Sequence, residues 1–580
     1  MAEVTCDGGT KRRRIVGRVQ FAAVVCLSLN LLASCTGRDA SIGVTAWWPG
    51  AVGSNSTEVR PPRRLNNVSP WFTVREADLD LQASWCGWDE RTGRRVAHLN
   101  IHRKAKQMIE EADRLIVASV FLFDNLYFGD PPERDIVEEF TQLLIEKKQH
   151  NPGMSIVVTL DLMHKLWADR SSPAVEALTR NGIDVFYSDL LDSQPANRIP
   201  IYHGLAQLMR RLNAATGGLS GHSADAIGSI PLPGVRMDND AVRISTLTSA
   251  FQLKANHRKV LVTARGDRFE ALVTSANPHN PSLPNENYAI SVLGPVARHT
   301  YMVLREDVRH ALALGGRFVD EGTFSGEPPA DYLKTVLPAV IVPRPMSPPP
   351  PGVNDESTQP RVALVTEQAI EEGVLAMLRG VTEHDQVRIQ MFYLSSLPVI
   401  NAILDSAART RQPVRILLDP NRVGFGMAKN GTPNSQVAAY LMKRAKIESA
   451  NLQIRWYATH GEQNHAKIMS VSDPENGKYE LTTGSANFTR KNLEGINLEA
   501  NLFVVGSAKL NRRFDAQFDR LWYNSDPNVL YSVSWDDPRH NYHHHKGRRK
   551  WATPQRFLFV VPMRSAKGRP LLREQEFVHW

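Results

Sequence analysis

Two distant segments of the chain carry the same arrangement of polar residues. The first copy reads Asn256-His257-Arg258-Lys259 with Thr274-Ser275-Ala276-Asn277 after it, and the second reads Asn464-His465-Ala466-Lys467 with Gly484-Ser485-Ala486-Asn487 after it. A short apolar run follows the lysine in each copy, and about thirty residues past each histidine lies a glutamate, Glu286 or Glu499. Two coincident copies are hard to explain by chance. The chain is therefore expected to fold as two similar halves whose motifs meet at one site.

The segments before each copy alternate helical and strand patterns in the same order. Before the first copy, the hydrophobic spacing predicts helices at 98–112, 136–148 and 174–180 and strands at 115–123, 155–161 and 184–187. Before the second copy it predicts helices at 367–378, 399–408 and 436–446 and strands at 387–392, 414–419 and 452–457. Alternation of this kind favours a mostly parallel sheet covered on both faces. The predicted fold class is α/β, with two α/β/α halves related by a pseudo-twofold axis.

The composition changes along the chain divide it into six parts. They are a signal peptide at 1–34, an N-terminal extension at 35–95, a first half at 96–336 with an insertion at 192–254, a Pro-rich linker at 337–362, a second half at 363–530 and a basic tail at 531–580. The linker is assigned because Pro348-Pro349-Pro350-Pro351 forms a stiff, extended segment that does not fit inside a sheet. The insertion is interpreted either as a lid over the site or as a surface loop.

The N-terminus resembles an export signal of a bacterial lipoprotein. A basic stretch at Lys11 to Arg14 precedes an apolar run from Phe21 to Leu32, which is shorter than the roughly 20 residues that cross a bilayer. The sequence Leu32-Ala33-Ser34-Cys35 then resembles a lipobox, which implies cleavage before Cys35 and lipidation of its sulfur and new amino group. This pattern predicts an exported protein anchored to a membrane of the bacterial cell envelope, with an ordinary secretory signal as the alternative.

Cysteine content and charge exclude some classes of protein. Of the four cysteines, only Cys86 would remain free in a mature, lipidated chain, which excludes an internal disulfide and a Cys-ligated zinc site. The formal net charge is +9, and residues 536–580 hold ten Lys and Arg against four Asp and Glu. Such a basic tail suits contact with anionic lipid headgroups or nucleic acid, but it is equally compatible with a solvated surface segment.

The residue types of the motif suit the binding of a phosphate group. On a strand, a histidine and a lysine two positions apart point to the same side, as His257 and Lys259 do in the first copy and His465 and Lys467 in the second. An imidazole acts as a nucleophile or acid near neutral pH, and an ammonium group attracts phosphate oxygens. Ser275 with Asn277, and Ser485 with Asn487, are expected on the next strand of each half, where they would add neutral hydrogen-bond donors.

These residues resemble the phospholipase D superfamily, whose mark is a duplicated His-x-Lys-x4-Asp followed by a Gly-Ser-x-Asn type segment. The resemblance extends from about Val96 to Asp526 and implies two α/β/α halves with one shared active site. It also implies a covalent phosphohistidine reaction without metal or other cofactor. The roles it implies are His257 as nucleophile, His465 as general acid and later base, Lys259, Lys467, Asn277 and Asn487 as phosphoryl-binding groups, Ser275 and Ser485 as supporting substrate-binding residues, and Glu286 and Glu499 as carboxylates that orient the histidines.

The chain departs from the family pattern at three positions. The motif aspartate is replaced by Ala264 in the first copy and by Ser472 in the second, and Thr274 occupies the position of the usual glycine. In the family that aspartate mainly supports the surrounding structure, so the reacting groups remain.

Three functions are consistent with the sequence. The first is an enzyme that cleaves or transfers phosphatidyl groups, with a phospholipid as substrate and a membrane surface as partner. The second is a nuclease of the same superfamily, which ranks lower because family nucleases are often a single short half that dimerises. The third is an inactive protein of the envelope that only binds. Because both half-sites lie in one chain, a monomer is expected.

Overall fold

The structure is a computed structural model. It describes residues 68–123, 134–161, 172–188, 229–231, 241–243, 255–313, 331–342, 359–424, 427–428 and 431–537. The predicted signal peptide, Cys35, most of the insertion, the proline run of the linker and the tail beyond residue 537 lie outside these ranges. The six-part division therefore stays a prediction at those places.

The first half is built around a mixed sheet with helices on its faces. Its described elements are β1 (Phe72–Thr73), β2 (Leu79–Asp89), β3 (Arg94–Leu99), α1 (Asn100–Glu111), β4 (Leu115–Val120), α2 (Ile136–His150), β5 (Ser155–Asp161), α3 (Pro173–Arg180), β6 (Asp184–Ser188), β7 (Ser229–Pro231), β8 (Ala241–Arg243), β9 (Val260–Arg265), β10 (Arg268–Thr274), β11 (Asn287–Leu293), α4 (Pro295–Ala313) and α5 (Tyr332–Thr335). Each helix and strand predicted before the first motif is present within a few residues of its expected bounds.

The second half repeats this order. Its described elements are β12 (Arg361–Thr366), α6 (Ala369–Arg379), β13 (Gln386–Met391), α7 (Leu397–Arg409), β14 (Val414–Leu418), β15 (Val423–Gly424), β16 (Met427–Ala428), α8 (Asn434–Glu448), β17 (Leu452–Tyr457), β18 (Lys467–Asp473), β19 (Lys478–Gly484), α9 (Arg490–Leu493), β20 (Ala500–Val505), α10 (Ala508–Tyr523), β21 (Val529–Leu530) and β22 (Ser532–Ser534). The predicted repetition of the halves is confirmed at the level of element order.

The two large sheets are mixed, which corrects the prediction of mostly parallel sheets. Within the described residues the first sheet runs β21-β2-β11-β10-β9-β4-β5-β6, with β3 beside β2, and the second runs β1-β12-β20-β19-β18-β13-β14-β17-β22. Only β4-β5-β6 and β13-β14-β17 are parallel among the described strands of these sheets. The remainder are antiparallel because the strands after each motif are joined by tight turns, as at Gly266 and Gly477 between paired strands.

Short strands at both ends of the described chain tie the halves together. Strand β1 pairs with β12 of the second half, whereas β2, a few residues later, pairs with β11 of the first. Near the other end, β21 pairs with β2 and β22 pairs with β17. The boundary predicted between residues 95 and 96 falls inside β3, so part of the predicted extension belongs to the first sheet.

Three large apolar clusters fill the spaces between the layers. One packs α1, α2 and α3 on the outer face of the first sheet, and another packs α6, α7 and α8 on the outer face of the second. The third joins the inner faces of both sheets through α4 and α10, with Tyr301 and Phe514 among its fully buried residues. Because one core is shared between the sheets, the halves hold a fixed relation to each other. In the part of the chain that the structure describes, no helix is both long and apolar enough to cross a membrane.

Candidate active site

The parallel strands of each half position the two histidine motifs at their carboxyl ends. Asp161 ends β5 and accepts a hydrogen bond of 2.5 Å from the backbone N–H of Asn256. Asp419 directly follows β14 and accepts one of 2.7 Å from the backbone N–H of Asn464. Ligand sites in open α/β sheets form at this edge. The residue before each histidine is thus fixed by an aspartate that the sequence places at the end of a buried strand.

Each motif also pairs with a segment of the opposite half. The backbone N–H of His257 donates to the carbonyl oxygen of Leu498 at 2.9 Å, and the N–H of Leu498 donates to that of Ala255 at 2.9 Å. At the equivalent place beside the second motif, the N–H of Glu286 donates to the carbonyl oxygen of Gln463 at 2.9 Å. These two parallel bridges bring the segments after Ser275 and Ser485 beside the histidine of the other half.

This crossed arrangement gives each imidazole an acceptor from the opposite half. His257 Nδ1 lies 3.0 Å from the carboxylate of Glu499, and His465 Nδ1 lies 3.0 Å from Oδ1 of Asn287. Since a carboxylate only accepts hydrogen bonds, Nδ1 of His257 carries the proton and its Nε2 keeps the lone pair. Asn287 presents its oxygen to His465 because its Nδ2 donates to the carbonyl of Asn285 at 3.0 Å.

The prediction that Glu286 orients a histidine is wrong by one position. The acceptor for His465 is the next residue, Asn287, whereas Glu286 is fully buried on the other side of the segment. Successive residues of an extended chain point to opposite sides, so a shift of one residue reverses the direction of the side chain. Burial, which dominates, raises the pKa of Glu286 well above its ordinary value. The carboxylate expected in the first half is therefore replaced at the site by a neutral amide.

A serine supports the acceptor in each half. Ser275 Oγ donates to Asn287 Oδ1 at 2.9 Å, and Ser485 Oγ donates to the Glu499 carboxylate at 2.5 Å. Both serines come directly after a strand rather than within it, because β10 ends at Thr274 and β19 at Gly484. The predicted supporting serines therefore contact the groups that orient the histidines.

The glycine position before each serine is used differently in the two copies. A Cβ atom added at Gly484 would lie 2.1 Å from the carbonyl oxygen of Ala500, so that position excludes any larger residue. The first copy has room for a side chain there, and Thr274 donates a hydrogen bond of 3.1 Å to the carbonyl oxygen of Tyr288. The departure of Thr274 from the family pattern is therefore accommodated locally.

The two asparagines of the motif have amide groups that are available to a ligand. Asn277 and Asn487 are each 5% exposed, and within the described residues the side-chain oxygen of each is buried without a hydrogen-bond partner. A buried amide without a partner is costly unless a ligand or water satisfies it. Their equivalent state in both halves fits a pair of groups that bind the same ligand.

Each lysine is held beneath its own histidine against an aromatic ring. Lys259 Nζ donates to the carbonyl oxygen of His257 at 2.8 Å, and Lys467 Nζ donates to that of His465 at 2.8 Å. Phe121 and Phe392 directly follow β4 and β13, and their ring centroids lie 5.1 and 5.3 Å from the respective ammonium groups. The same rings contact the imidazoles, with centroid separations of 5.0 and 4.9 Å.

Sequence analysis missed these two phenylalanines and also Asp161 and Asn287. The phenylalanines and Asp161 could have been found, because Phe121 and Phe392 lie near the ends of equivalent predicted strands, and Asp161 and Asp419 end another equivalent pair. No sequence pattern marks Asn287. The adjacent Glu286 is a carboxylate at the expected distance from the motif and was therefore chosen in its place.

Burial and like charges shift the pKa values of the site toward neutral histidine and lysine. Burial lowers the pKa of His257 to about 4, with Glu499 opposing the shift and Lys259 adding to it. Burial, with Lys467, Lys259 and His257 nearby, lowers the pKa of His465 well below its ordinary value. Burial likewise lowers the pKa of Lys259 to about 7 and that of Lys467 well below normal.

Glu499 is a charged carboxylate at the site in the free protein. Burial by itself raises its pKa, but attraction to His257 and Lys259 and hydrogen bonds from His257 and Ser485 hold it at about 2. Because the imidazoles and amines are largely neutral in the free protein, an anion that binds among them favours their protonated forms. Within the described part of the chain, no group of three or more His, Cys, Asp and Glu residues is arranged to hold a metal ion.

The positions that lack the motif aspartate lie away from the histidines. Ala264 pairs in register with Leu115 at the start of β4, whereas Phe121, beside His257, follows the end of that strand. Ser472 pairs with Gln386 at the start of β13 in the same manner. Both positions are thus at the opposite edge of the sheet from the site, so their substitution removes no group from it.

His257 precedes β9 and His465 precedes β18, rather than lying within the strands as predicted.

The fold and the site define a two-half α/β protein with a duplicated His-x-Lys site shared between the halves. Residues 379–522 match the family described as cardiolipin synthase, PLD-like domain. The match places a PLD-like domain in the second half of the chain. A search of curated proteins gave no match.

Three solved structures are similar to this chain at low identity. Phosphatidylserine synthase of Haemophilus influenzae Rd KW20 is 10% identical, with 86% of this chain and 98% of that chain covered and a TM-score of 0.42. Polyphosphate kinase from Porphyromonas gingivalis is 11% identical over 82% and 53%, with a TM-score of 0.39. The phospholipase D family member Nuc from Salmonella typhimurium is 16% identical over 30% and 98%, with a TM-score of 0.23. With TM-scores below 0.5, these similarities decide nothing about the activity of the chain.

Proposed function

We propose that the protein is a phosphodiesterase of the phospholipase D type that cleaves or transfers the phosphatidyl groups of phospholipids. The observation that carries the proposal is the crossed pairing of His257 with Glu499 and of His465 with Asn287, which orients two imidazoles from different halves. Two lysines accompany them, with two buried asparagines whose side-chain oxygens have no hydrogen-bond partner among the described residues. This set supplies a nucleophile, an acid and donors for phosphoryl oxygens.

In the proposed reaction, Nε2 of His257 attacks phosphorus while the bond from phosphorus to the leaving oxygen breaks. His465 gives its Nε2 proton to that oxygen, which departs as an alcohol and leaves a phosphohistidine. A water or a second alcohol then attacks phosphorus, gives its proton to His465 and releases His257. The negative charge of the bound diester raises the pKa of His465, so that this histidine holds a proton when the bond breaks.

The unequal partners of the two imidazoles support this division of roles. A phosphorylated imidazole carries positive charge, and Glu499 is the carboxylate that can balance it at His257. His465 faces the neutral oxygen of Asn287, which stabilises an imidazolium less and so favours transfer of its proton to the substrate. The assignment of His257 as nucleophile is a proposal that rests on this difference.

Purified protein incubated in chelator with phosphatidylcholine, phosphatidylglycerol and plasmid DNA is expected to act on the lipids alone. Release of a headgroup, or its exchange with an added alcohol, is measured by mass spectrometry of the lipid products, and the plasmid is followed on a gel. Matched controls are protein with His384→Ala, an exposed histidine paired with Glu383, and protein without lipid. DNA cleavage without lipid turnover would favour the nuclease alternative, and no turnover of either substrate would favour an inactive binding protein.

We also propose that the protein acts at a membrane of the bacterial cell envelope, anchored through lipidated Cys35. The support is the lipobox-like sequence Leu32-Ala33-Ser34-Cys35 after a short apolar run. Cys35→Ser is expected to move the protein from the membrane fraction to the soluble fraction and to remove the mass of the acyl groups. Cys86→Ser, which changes a buried cysteine of the folded region, is the control and should remain in the membrane fraction. Unchanged partitioning of Cys35→Ser contradicts the anchor.

A further inference from the structure

Arg258 lies inside the motif but faces away from the site. His257 and Lys259 contact the site, whereas the side chain of Arg258, between them, is fully buried on the opposite side. Its guanidinium forms ion pairs with Asp307 of α4 and with Glu367, which directly follows β12, the latter at 2.5 Å. Both carboxylates are almost fully buried, so these three residues form one internal ion triad.

The triad contacts the backbone of Glu499, the residue that orients His257. Arg258 Nε donates to the carbonyl oxygen of Glu499 at 3.3 Å, and Glu367 Oε1 accepts from the Glu499 N–H at 3.1 Å. The N–H of Glu367 donates to the same carbonyl oxygen at 3.4 Å. The backbone N–H and the carbonyl oxygen of Glu499 are thus both hydrogen-bonded to Arg258 or Glu367.

The backbone of Glu367 is itself in an unusual conformation. Its φ is 50°, in the left-handed region that a residue with a side chain adopts at a cost. Such a conformation persists where surrounding contacts fix it, and here those contacts include the ones to Arg258 and Glu499. The second copy of the motif has Ala466 at the position of Arg258, so the triad exists on one side of the pseudo-twofold only.

We infer that Arg258, together with Asp307 and Glu367, is a positioning group that sets Glu499 at the correct distance and angle for His257. This inference rests on the proposed function for its catalytic consequence, but the reactivity of the His257 side chain can be measured without turnover. Because the triad touches only the backbone of Glu499, it acts on the imidazole through the carboxylate. It links the first-half motif, α4 and the second half in one rigid contact.

Arg258→Met is expected to lower kcat by about 10- to 100-fold while KM changes little, because small misplacements of reacting groups cost rate. The reactivity of His257 is measured independently as its rate of modification by diethylpyrocarbonate, quantified by peptide mass spectrometry. That rate is expected to fall relative to the rate at His465, which serves as a control in the same sample. A ratio of the His257 rate to the His465 rate that is the same in wild type and variant would overturn the inference.

Arg388→Met is the matched control. Arg388 is a buried arginine between Asp515 and Asp519, at 3.3 and 3.1 Å, and it touches neither histidine nor Glu499. Its loss should affect thermal stability without changing the modification rate of His257. If Arg388→Met lowers that rate as much as Arg258→Met, the effect is general destabilisation and the inference fails.

If Arg258→Met does not fold, a pair of variants at Glu367 tests whether the triad positions Glu499. Glu367→Gln keeps an oxygen for the Glu499 N–H and should retain more His257 reactivity than Glu367→Ala, which removes it. Equal losses in the two variants would overturn the inference. If the wild-type protein turns over no phosphodiester, the proposed function fails, whereas the modification rates still test the role of Arg258.

Discussion

Replacing His257 with alanine is expected to abolish turnover of every phosphodiester, by about 10⁴-fold or more, because in the proposed mechanism this histidine forms the covalent bond to phosphorus. His465→Ala is expected to depend on the leaving group. With a phospholipid the loss should be about 10²- to 10⁴-fold, the usual contribution of a general acid. With bis(p-nitrophenyl) phosphate, whose nitrophenolate leaves without a proton, the first step should be nearly unimpaired.

The experiment that separates the two roles is a rapid-mixing measurement of nitrophenolate release. His465→Ala should give a burst of about one nitrophenolate per enzyme and then stop, since the histidine that activates water is missing, and the phosphohistidine should be detectable by mass spectrometry at His257. His257→Ala should give no burst. His384→Ala provides a surface histidine control. A burst from His257→Ala, or phosphate found on His465, would reverse the assignment of the two histidines.

The affinity of the site for a phosphate analogue is expected to fall as the pH rises above about 7. Burial lowers the pKa of Lys259 to about 7, so above that pH the amine is mostly neutral in the free protein. A bound anion favours the ammonium form, and binding must then take up a proton from solution. Affinity for tungstate, which stays a dianion over this range, should decrease about tenfold per pH unit for each proton taken up. Lys467, with its pKa also lowered, should add to the effect.

Isothermal titration calorimetry in buffers of different ionisation enthalpy counts the protons taken up on binding. Lys259→Met should bind tungstate about 10- to 100-fold more weakly near pH 6, because a charged hydrogen bond is lost, and should show a smaller uptake of protons at higher pH. Lys478→Met is the matched control, since Lys478 contacts the Gly380 carbonyl and Asp385 rather than either histidine. A wild-type affinity that does not change with pH would contradict the lowered lysine pKa values.

Much of the fold follows from local sequence patterns. The helices and strands before each motif were predictable because an amphipathic helix and a buried strand leave their own periodicity in the chain. The mixed character of the sheets was not predictable in the same way. The alternation before each motif suggests parallel strands, but the strands after Lys259 and Lys467 return through tight turns and pair antiparallel.

The site was predictable to a different degree for each kind of residue. The histidines and lysines were found because their spacing is repeated, and Glu499 because it follows the second copy at the expected distance. Glu286 was wrongly assigned as the residue that orients a histidine, because it is the carboxylate in that segment. The register of the strand instead turns the neighbouring Asn287 toward His465. A register shift of one residue reverses which side chain faces the site, and no local pattern marks that register.

The sequence by itself determined the duplication, the order of elements and the identity of the paired imidazoles and amines, since each depends on spacing within one segment. The tertiary structure alone decided which acceptor faces each imidazole and that Arg258 holds Glu499. Those contacts join residues separated by 242, 178 and 241 positions. Their geometry depends on how the two halves dock through a shared core, which is a property of packing rather than of any local stretch of chain.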